Sequence, residues 1–431
     1  MKDVYVEVVS KDTIKPSSST PDHLRRYTLS FIDQITPHIF MPMALFYPRD
    51  ADLSNLDLHD RIKTSLSETL TRFYPLAGRI KGNSHVDCND EGVLYVEAKA
   101  TCTLSEFLED PEPGETSKFL PFELDDVNEL AFAVQVTTFS CGGIVIGLVF
   151  AHKVADASSF FMFLNSWAAI GRGSSDITTP RFEAATIFPP ETFPSYTPSR
   201  GLRKKNKIAV KRFVFESSAI AALRAKYSTE DMSVEYPRPT RVEALSAFVF
   251  NRYLAATEAA ADPNKVCTVF HIANLRSRVD PPHLENYFGN MSMPTGTVIS
   301  RDTENGFQGI ISPVRDALKK VDMNHVKCFR ESGAYLKFMT DSAERFKRSE
   351  VVSLAFTSLC RFPAYEADFG WGKPVWIGSC RLLYQNLVTF FDTKSGDGIE
   401  VLINLDEEEM AKFEADKELL DHISSAKVSA N

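Results

Sequence analysis

The chain is expected to fold as a two-domain α/β protein, and three observations point to it. It has 431 residues, whereas single hydrophobic cores rarely grow past roughly 250–300 residues. Short apolar or alternating runs of strand length are interspersed with longer runs of helical period along the sequence. Between Phe188 and Lys207 the composition changes: Pro189, Pro190, Pro194 and Pro198 are followed by Arg200, Arg203, Lys204, Lys205 and Lys207. That turn-rich, basic segment reads as a linker. The expected division is residues 1–188, a linker at 189–210, and residues 211–431.

Composition narrows the class. The apolar fraction is 44% and the charged fraction 24%, as in soluble globular proteins. A net charge of -9 argues against nucleic acid as the main partner, although a local basic patch for an anionic ligand is compatible with it. The 7 cysteines are dispersed, without a CxxC pair or a His-containing metal spacing, which suggests free thiols in a reducing compartment. The start, Met1-Lys2-Asp3-Val4, lacks the blocks of a secretory signal, and no apolar run reaches membrane-spanning length. Cytosol is the expected location. A zinc site needs three or four ligands, so EDTA is expected to leave activity unchanged, and a measured metal requirement would contradict this.

Taken in order, Val4 to Val9 alternates weakly as an opening strand, and Lys15 to Pro21 is a loop. Ile39 to Tyr47 reads as a buried strand, with Pro42 demanding an edge or a bulge. Leu58, Ile62, Leu66, Leu70 and Phe73 recur at helical spacing within an amphipathic helix from Leu56 to Phe73. It stops at Tyr74-Pro75-Leu76-Ala77-Gly78-Arg79. Val86 and Val93 to Ala98 suggest strands. Leu130 to Phe139 and Ile144 to Phe150 flank Ser140-Cys141-Gly142-Gly143 as a hairpin. A helix follows from Ala157 and ends near Gly171.

Past the linker, strands are expected at Lys211 to Phe215, Val266 to Asn274, Val351 to Ser358, Val375 to Gly378, Leu387 to Asp392 and Ile399 to Asn404. Helices are expected at Ser217 to Lys226, Arg241 to Ala260, Phe307 to Val321 and Glu407 to Ile423.

The residues that can carry chemistry centre on Ala151-His152-Lys153-Val154-Ala155-Asp156-Ala157, where the second strand of the hairpin gives way to a helix. His152 is placed to act as a general base. Asp156, four residues on, either pairs with it across a helical turn or N-caps the helix and points away. A bare HxxxD is a weak signal, and a core histidine beside a capping aspartate explains it as well. Asp368-Phe369-Gly370-Trp371-Gly372-Lys373-Pro374 implies close backbone approach around a fixed indole. Asn274-Leu275-Arg276-Ser277-Arg278 ends an apolar strand in arginines that can bind an anion or pair with a buried carboxylate, for which Asp156 is a candidate.

In this order and in a chain of this length, the HKVAD and DFGWG segments resemble the plant BAHD acyl-CoA-dependent acyltransferases. Tyr74–Arg79, Asn274-Leu275-Arg276 and Tyr287-Phe288-Gly289-Asn290 are similar to that family too, so the likeness spans nearly the whole chain. Each motif alone is weak, and together they are specific. Many members follow the motif's aspartate with glycine. Ala157 and the opening Val8–Pro16 instead resemble a branch whose members mostly acetylate hydroxyls of alkaloids and other specialised metabolites.

The resemblance implies two similar-sized chloramphenicol-acetyltransferase-like α/β domains, joined by a long crossover, with a solvent channel between them. It implies that His152 takes the proton of an alcohol acceptor while acyl-CoA, most simply acetyl-CoA, is attacked in a ternary complex. It implies structural roles for Asp156 with Arg276, and for Asp368 and Trp371. It also implies a monomer with small-molecule partners and no metal. Trp371 N–H and Asn290 are candidate oxyanion donors. Arg278, Lys204, Lys205, Asn290, Ser395, Gly396 and Asp397 are candidate CoA contacts. A larger acyl donor (benzoyl or hydroxycinnamoyl), an amine acceptor, and a non-catalytic binding homologue remain as alternatives, and fold analogy does not choose the acceptor.

Overall fold

A computed structural model describes residues 4–49, 55–125, 128–192, 208–228, 238–257, 265–279, 284–299, 308–331, 350–378, 380–382, 384–424 and 428, with isolated positions between 333 and 345. The linker residues from 193 to 207, with Lys204 and Lys205, lie outside them, as do Asp280, Pro281 and Pro282.

Two six-stranded sheets and one small three-stranded sheet make up the β structure among the described residues. The first large sheet runs in the spatial order Val6–Ile14, Val93–Ala100, Phe132–Thr138, Ile144–Ala151, Phe40–Tyr47, Trp376–Gly378. Its two central strands, FAVQVTT and IVIGLVFA, are buried at every position; the second is apolar throughout, as expected of a strand covered on both faces, while the first also buries Gln135, Thr137 and Thr138. Pro42 fits in the neighbouring strand because Trp376–Gly378 pairs only with Ala44 to Phe46. The edge beside Pro42 therefore needs no N–H.

The helices Asn55–Arg72 and Ala157–Gly171 pack together in the same core. Trp167 Nε1 donates to Ser65 Oγ at 3.1 Å, and Arg61 Nε donates to the Gly171 carbonyl at 2.7 Å. Phe160, Phe161 and Phe163, which follow the histidine motif, are all buried in this core. Phe163 packs on Phe132, Phe150 and Trp167, while Phe161 stacks on Phe362. These rings fill the core.

The second large sheet has the order Ser292–Ile299, Val266–Asn274, Val351–Ser358, Leu387–Asp392, Ile399–Asp406, Ile208–Phe215. Strands 266–274, 351–358 and 387–392 run parallel, so their C-terminal ends share one edge of the sheet. The helices Ser217–Lys226, Arg241–Ala256 and Glu407–Glu414 share its core.

Two elements differ from expectation for clear reasons. Ser292–Ile299 was not foreseen because Pro294 and Gly296 disfavour strands; it lies at the sheet edge, where proline is tolerated. The expected helix from Glu407 to Ile423 is broken after Glu414, because Asp416 turns its carboxylate to accept from Leu419 N and caps a new short helix.

Several contacts among the described residues tie the two halves together, two of them apart from the histidine motif. Trp376 belongs to the first sheet, yet its Nε1 donates to Glu400 of the second at 3.1 and 3.2 Å, with the Arg212 guanidinium over its ring. A third apolar cluster joins Phe31, Ile32 and Ile35 to Ala273, Leu275, Tyr287 and Met291. His152 sits beside that cluster.

Candidate active site

His152 follows the last residue of strand Ile144–Ala151, and its backbone N–H donates to the Ile39 carbonyl at 2.8 Å. The residue is half-buried, but Nδ1 is sealed from solvent and makes no hydrogen bond among the described residues. With Nδ1 turned inward, Nε2 is the nitrogen left to face outward. Burial pushes the imidazole pKa below its ordinary value, against the opposing pull of its own carbonyl, Asp156, Asn290 and the Ala155 carbonyl. At neutral pH the ring is therefore held in the form that can accept a proton.

The hydrogen bonds of the Asp156 carboxylate go to groups other than the ring. Asp156 N-caps the helix Ala157–Gly171 by accepting from Ser159 N at 3.1 Å. Both its oxygens are also engaged by Arg276, with Nη1 to Oδ2 at 2.6 Å and Nη2 to Oδ1 at 3.0 Å. Met291 N adds a third donor at 3.0 Å. Burial alone would raise the Asp156 carboxyl, but the Arg276 guanidinium and these hydrogen bonds more than offset it and hold the group below its usual range. Arg276 Nη2 also donates to the carbonyls of Tyr287 and Gly289 and to Ser159 Oγ. The Tyr287–Asn290 segment thus wraps around the Asp156–Arg276 pair and is fixed by it.

Asn290 was a candidate donor to the oxyanion or to CoA, and its amide is engaged within the protein. Its Nδ2 donates to Asp33 Oδ1 at 2.8 Å and to the His152 carbonyl at 2.7 Å, so both amide hydrogens are committed. Trp371 is no better placed as a donor. Its ring stacks on Phe369 and meets Tyr47 edge-on, at the far end of strand Phe40–Tyr47 from the Ile39–His152 contact. Eight residue steps at roughly 3.3 Å each, from Ile39 to Tyr47, separate them by about 26 Å.

The Asp368 carboxylate accepts from Gly370 N and Gly372 N at 2.7 and 3.0 Å and so closes its own loop. Both glycines have φ near +100°, a conformation that L side chains rarely adopt, and a Cβ on Gly370 would run into the Arg61 guanidinium. Gly370→Ala is expected to cost about 1–3 kcal/mol. It should lower the melting temperature without changing kcat of the folded fraction, which thermal unfolding and initial rates would check.

Arg278 is exposed and donates to the Leu318 carbonyl at 2.6 Å. Ser395, Gly396 and Asp397 form the turn between strands 387–392 and 399–406. The Ser395 hydroxyl is spent on Asp397, and Arg241 donates to the Gly396 and Asp397 carbonyls. That turn lies on the same sheet edge as Arg276, two strands across, or about 10 Å.

Two buried groups were missed. Lys153 is 2% exposed and donates to the carbonyls of Gln34 and Thr36 at 2.9 and 2.8 Å. Burial lowers its pKa to about 8, with Asp33 opposing. Asp33 is fully buried in the short helix Phe31–Ile35, where Ser30 and Asp33 form a capping box. Ser30-x-x-Asp33 was legible as such a box. A carboxylate amid Phe31, Ile32, Gln34 and Ile35 was the available signal that it needed a buried partner.

Comparison with known proteins agrees with this architecture. The family model described as Transferase family matches residues 4–420. Stemmadenine O-acetyltransferase of Catharanthus roseus is 36% identical over 422 residues, covering 95% of this chain and 96% of the relative. Vinorine synthase of Rauvolfia serpentina is 37% identical over 417 residues, covering 94% and 95%. A crystal structure of vinorine synthase superposes with a TM-score of 0.85 at 35% identity over 98% of this chain and 99% of that one. F. graminearum TRI101, solved with coenzyme A and deoxynivalenol, shares the fold at a TM-score of 0.72 and 16% identity, covering 93% of this chain and 99% of that one. The α/β fold foreseen from the motifs is thus the fold observed, and the chain belongs to the Transferase family of plant BAHD acyl-CoA-dependent acyltransferases.

Proposed function

We propose that this acyltransferase moves an acetyl group from acetyl-CoA to a hydroxyl of an alkaloid or terpenoid, with His152 as general base. The observation that carries this reading is the half-buried His152 ring, with Nδ1 sealed and Nε2 outward, on a loop clamped by Asp156 and Arg276. Relatives named as stemmadenine, limonoid and dihydroxy-N-methylcanadine O-acetyltransferases support the choice of donor and of acceptor class.

In the step proposed, Nε2 accepts the alcohol proton as the oxygen attacks the thioester carbonyl carbon. The tetrahedral adduct collapses with cleavage of the C–S bond, and the imidazolium returns the proton to the CoA thiolate. The products are the ester and free CoA. An alcohol is a poor nucleophile at neutral pH, and a positioned base supplies about 10²–10⁴-fold. The thioester is already activated, so both substrates can react in one ternary complex. For CoA, the turn Ser395–Asp397 and Arg278 remain the contacts proposed. The location of that turn at the C-terminal edge of the parallel strands supports it, since ligands of open α/β sheets bind at that edge. The reading treats residues 1–188 and 211–431 as the two domains of a cytosolic monomer, with 189–210 as the crossover.

A thiol-release assay with acetyl-, benzoyl- and hydroxycinnamoyl-CoA against alcohol and amine acceptors tests this. Acetyl-CoA with an alcohol is expected to release the most thiol. A preference for an aromatic acyl-CoA or an amine would replace that part of the reading, and no turnover with any pair would favour a binding homologue.

A further inference from the structure

The residue next to His152 carries a charge that the fold keeps from water. Lys153 is 2% exposed, and its Nζ donates to the Gln34 carbonyl at 2.9 Å and to the Thr36 carbonyl at 2.8 Å. Both carbonyls stand at the end of the short helix Phe31–Ile35, where backbone acceptors lose their intrahelical partners. Three residues past Thr36, the Ile39 carbonyl accepts the His152 backbone N–H at 2.8 Å. Residues 36–39 belong to neither helix nor strand, so no regular ladder fixes them. Two consecutive residues of the motif pin them instead, the Lys153 side chain at one end and the His152 backbone at the other.

Taking an ammonium out of water is costly even when it is well paired. Among the described residues Lys153 forms no ion pair, and burial lowers its pKa to about 8, with Asp33 opposing. An apolar side chain of similar length, such as methionine, would fill the space without that cost. A buried cation kept one residue from the base therefore points to a role in the site. We propose that Lys153 is a positioning residue for acyl transfer: its bonds to the Gln34 and Thr36 carbonyls hold residues 36–39, which in turn hold the His152 backbone and so set where the ring meets the acceptor. This inference rests on the reading of His152 as base.

The ionisable groups on the surrounding elements are Asp33 on the short helix, His38 within residues 36–39, His152 itself, and Asp156 paired with Arg276. Asp33 is the one whose charge acts on Lys153. Charge-assisted hydrogen bonds are about twice as strong as neutral ones, so loss of the lysine proton loosens the hold on residues 36–39. Stability moves the other way. The folded pKa of Lys153 lies below the unfolded value of about 10.4, so between about 8 and that value the folded state binds fewer protons than the unfolded one. Over this range the rate should fall while the contribution of Lys153 to stability rises, and a merely structural lysine would not separate the two.

The test compares the full-length wild type with Lys153→Met. The variant's kcat is expected to fall by about 10²-fold, the scale of a small misplacement, with KM for acetyl-CoA little changed. In the wild type kcat should drop severalfold as pH rises through about 8, and this alkaline limb should be missing in the variant. The melting temperature of the wild type relative to Lys153→Met should rise over the same range. A Lys153→Met enzyme with wild-type kcat, or with the same alkaline limb, would overturn the proposal. If Lys153→Met does not fold, the wild-type profile decides, and a kcat that stays flat from about pH 7 to about pH 10 would overturn it. Inactive His152→Ala beside fully active Lys153→Met would sink this inference alone, whereas turnover kept in His152→Ala would remove the base reading itself.

Discussion

His152→Ala is expected to lower kcat by about 10²–10⁴-fold, the contribution of a positioned general base, while the protein still folds. The side chain is half-buried and its Nδ1 has no hydrogen bond among the described residues, so its loss strands no partner. The backbone N–H still reaches the Ile39 carbonyl and the His152 carbonyl still receives Asn290, because neither bond needs the imidazole. Circular dichroism and thermal unfolding should therefore match the wild type while thiol release nearly vanishes. A variant that kept most of its kcat would remove His152 from the chemistry. In the wild type, burial has pushed the imidazole pKa down, so the acidic limb of kcat/KM should lie below the ordinary histidine value near 6.5.

Asp156→Ala should act on the fold first and on the rate through it. It leaves the buried Arg276 guanidinium, 4% exposed, without its counter-charge, and breaking a buried pair in this way costs about 3–5 kcal/mol. The N-cap on Ser159 N is lost as well, at about 1 kcal/mol. The folded pKa of Asp156 lies below its unfolded value, so its stabilisation is fully present above the unfolded value, about 3.9, and is lost as pH falls through the folded one. The gap in melting temperature between wild type and variant should thus be widest near neutrality and narrow on acidification below pH of about 4. A normal melting temperature with a pure rate defect would contradict a structural Asp156.

Much of the fold was legible because the strongest patterns coincide with buried elements. Leu58, Ile62, Leu66 and Leu70 are buried along one face of the helix Asn55–Arg72, and Ile144 to Ala151 form one buried strand. What was not legible depends on partners distant in sequence. Trp376–Gly378 closes the sheet of the first half from the second, which no local pattern reports. At the site, the HKVAD spacing left open whether Asp156 serves His152 or caps a helix. Arg276, 120 positions away, decides it by taking both carboxylate oxygens. Lys153 stayed hidden because it looks like an ordinary surface residue until its burial and its backbone partners are known, whereas for Asp33 the local signal was present but its partner Asn290 lies far away in sequence.

Acyl transfer in a ternary complex with His152 as base is open to one direct measurement. The wild-type protein and His152→Ala are each incubated with acetyl-CoA, with and without an alkaloid or terpenoid alcohol, and thiol release is followed together with the mass of acceptor and protein. Acceptor-dependent thiol release is expected in the wild type, matched mole for mole by acetyl ester and with no acetylated protein, and nearly none in the variant. Equal ester formation by His152→Ala, or a stable acetyl-enzyme formed without acceptor, would contradict it.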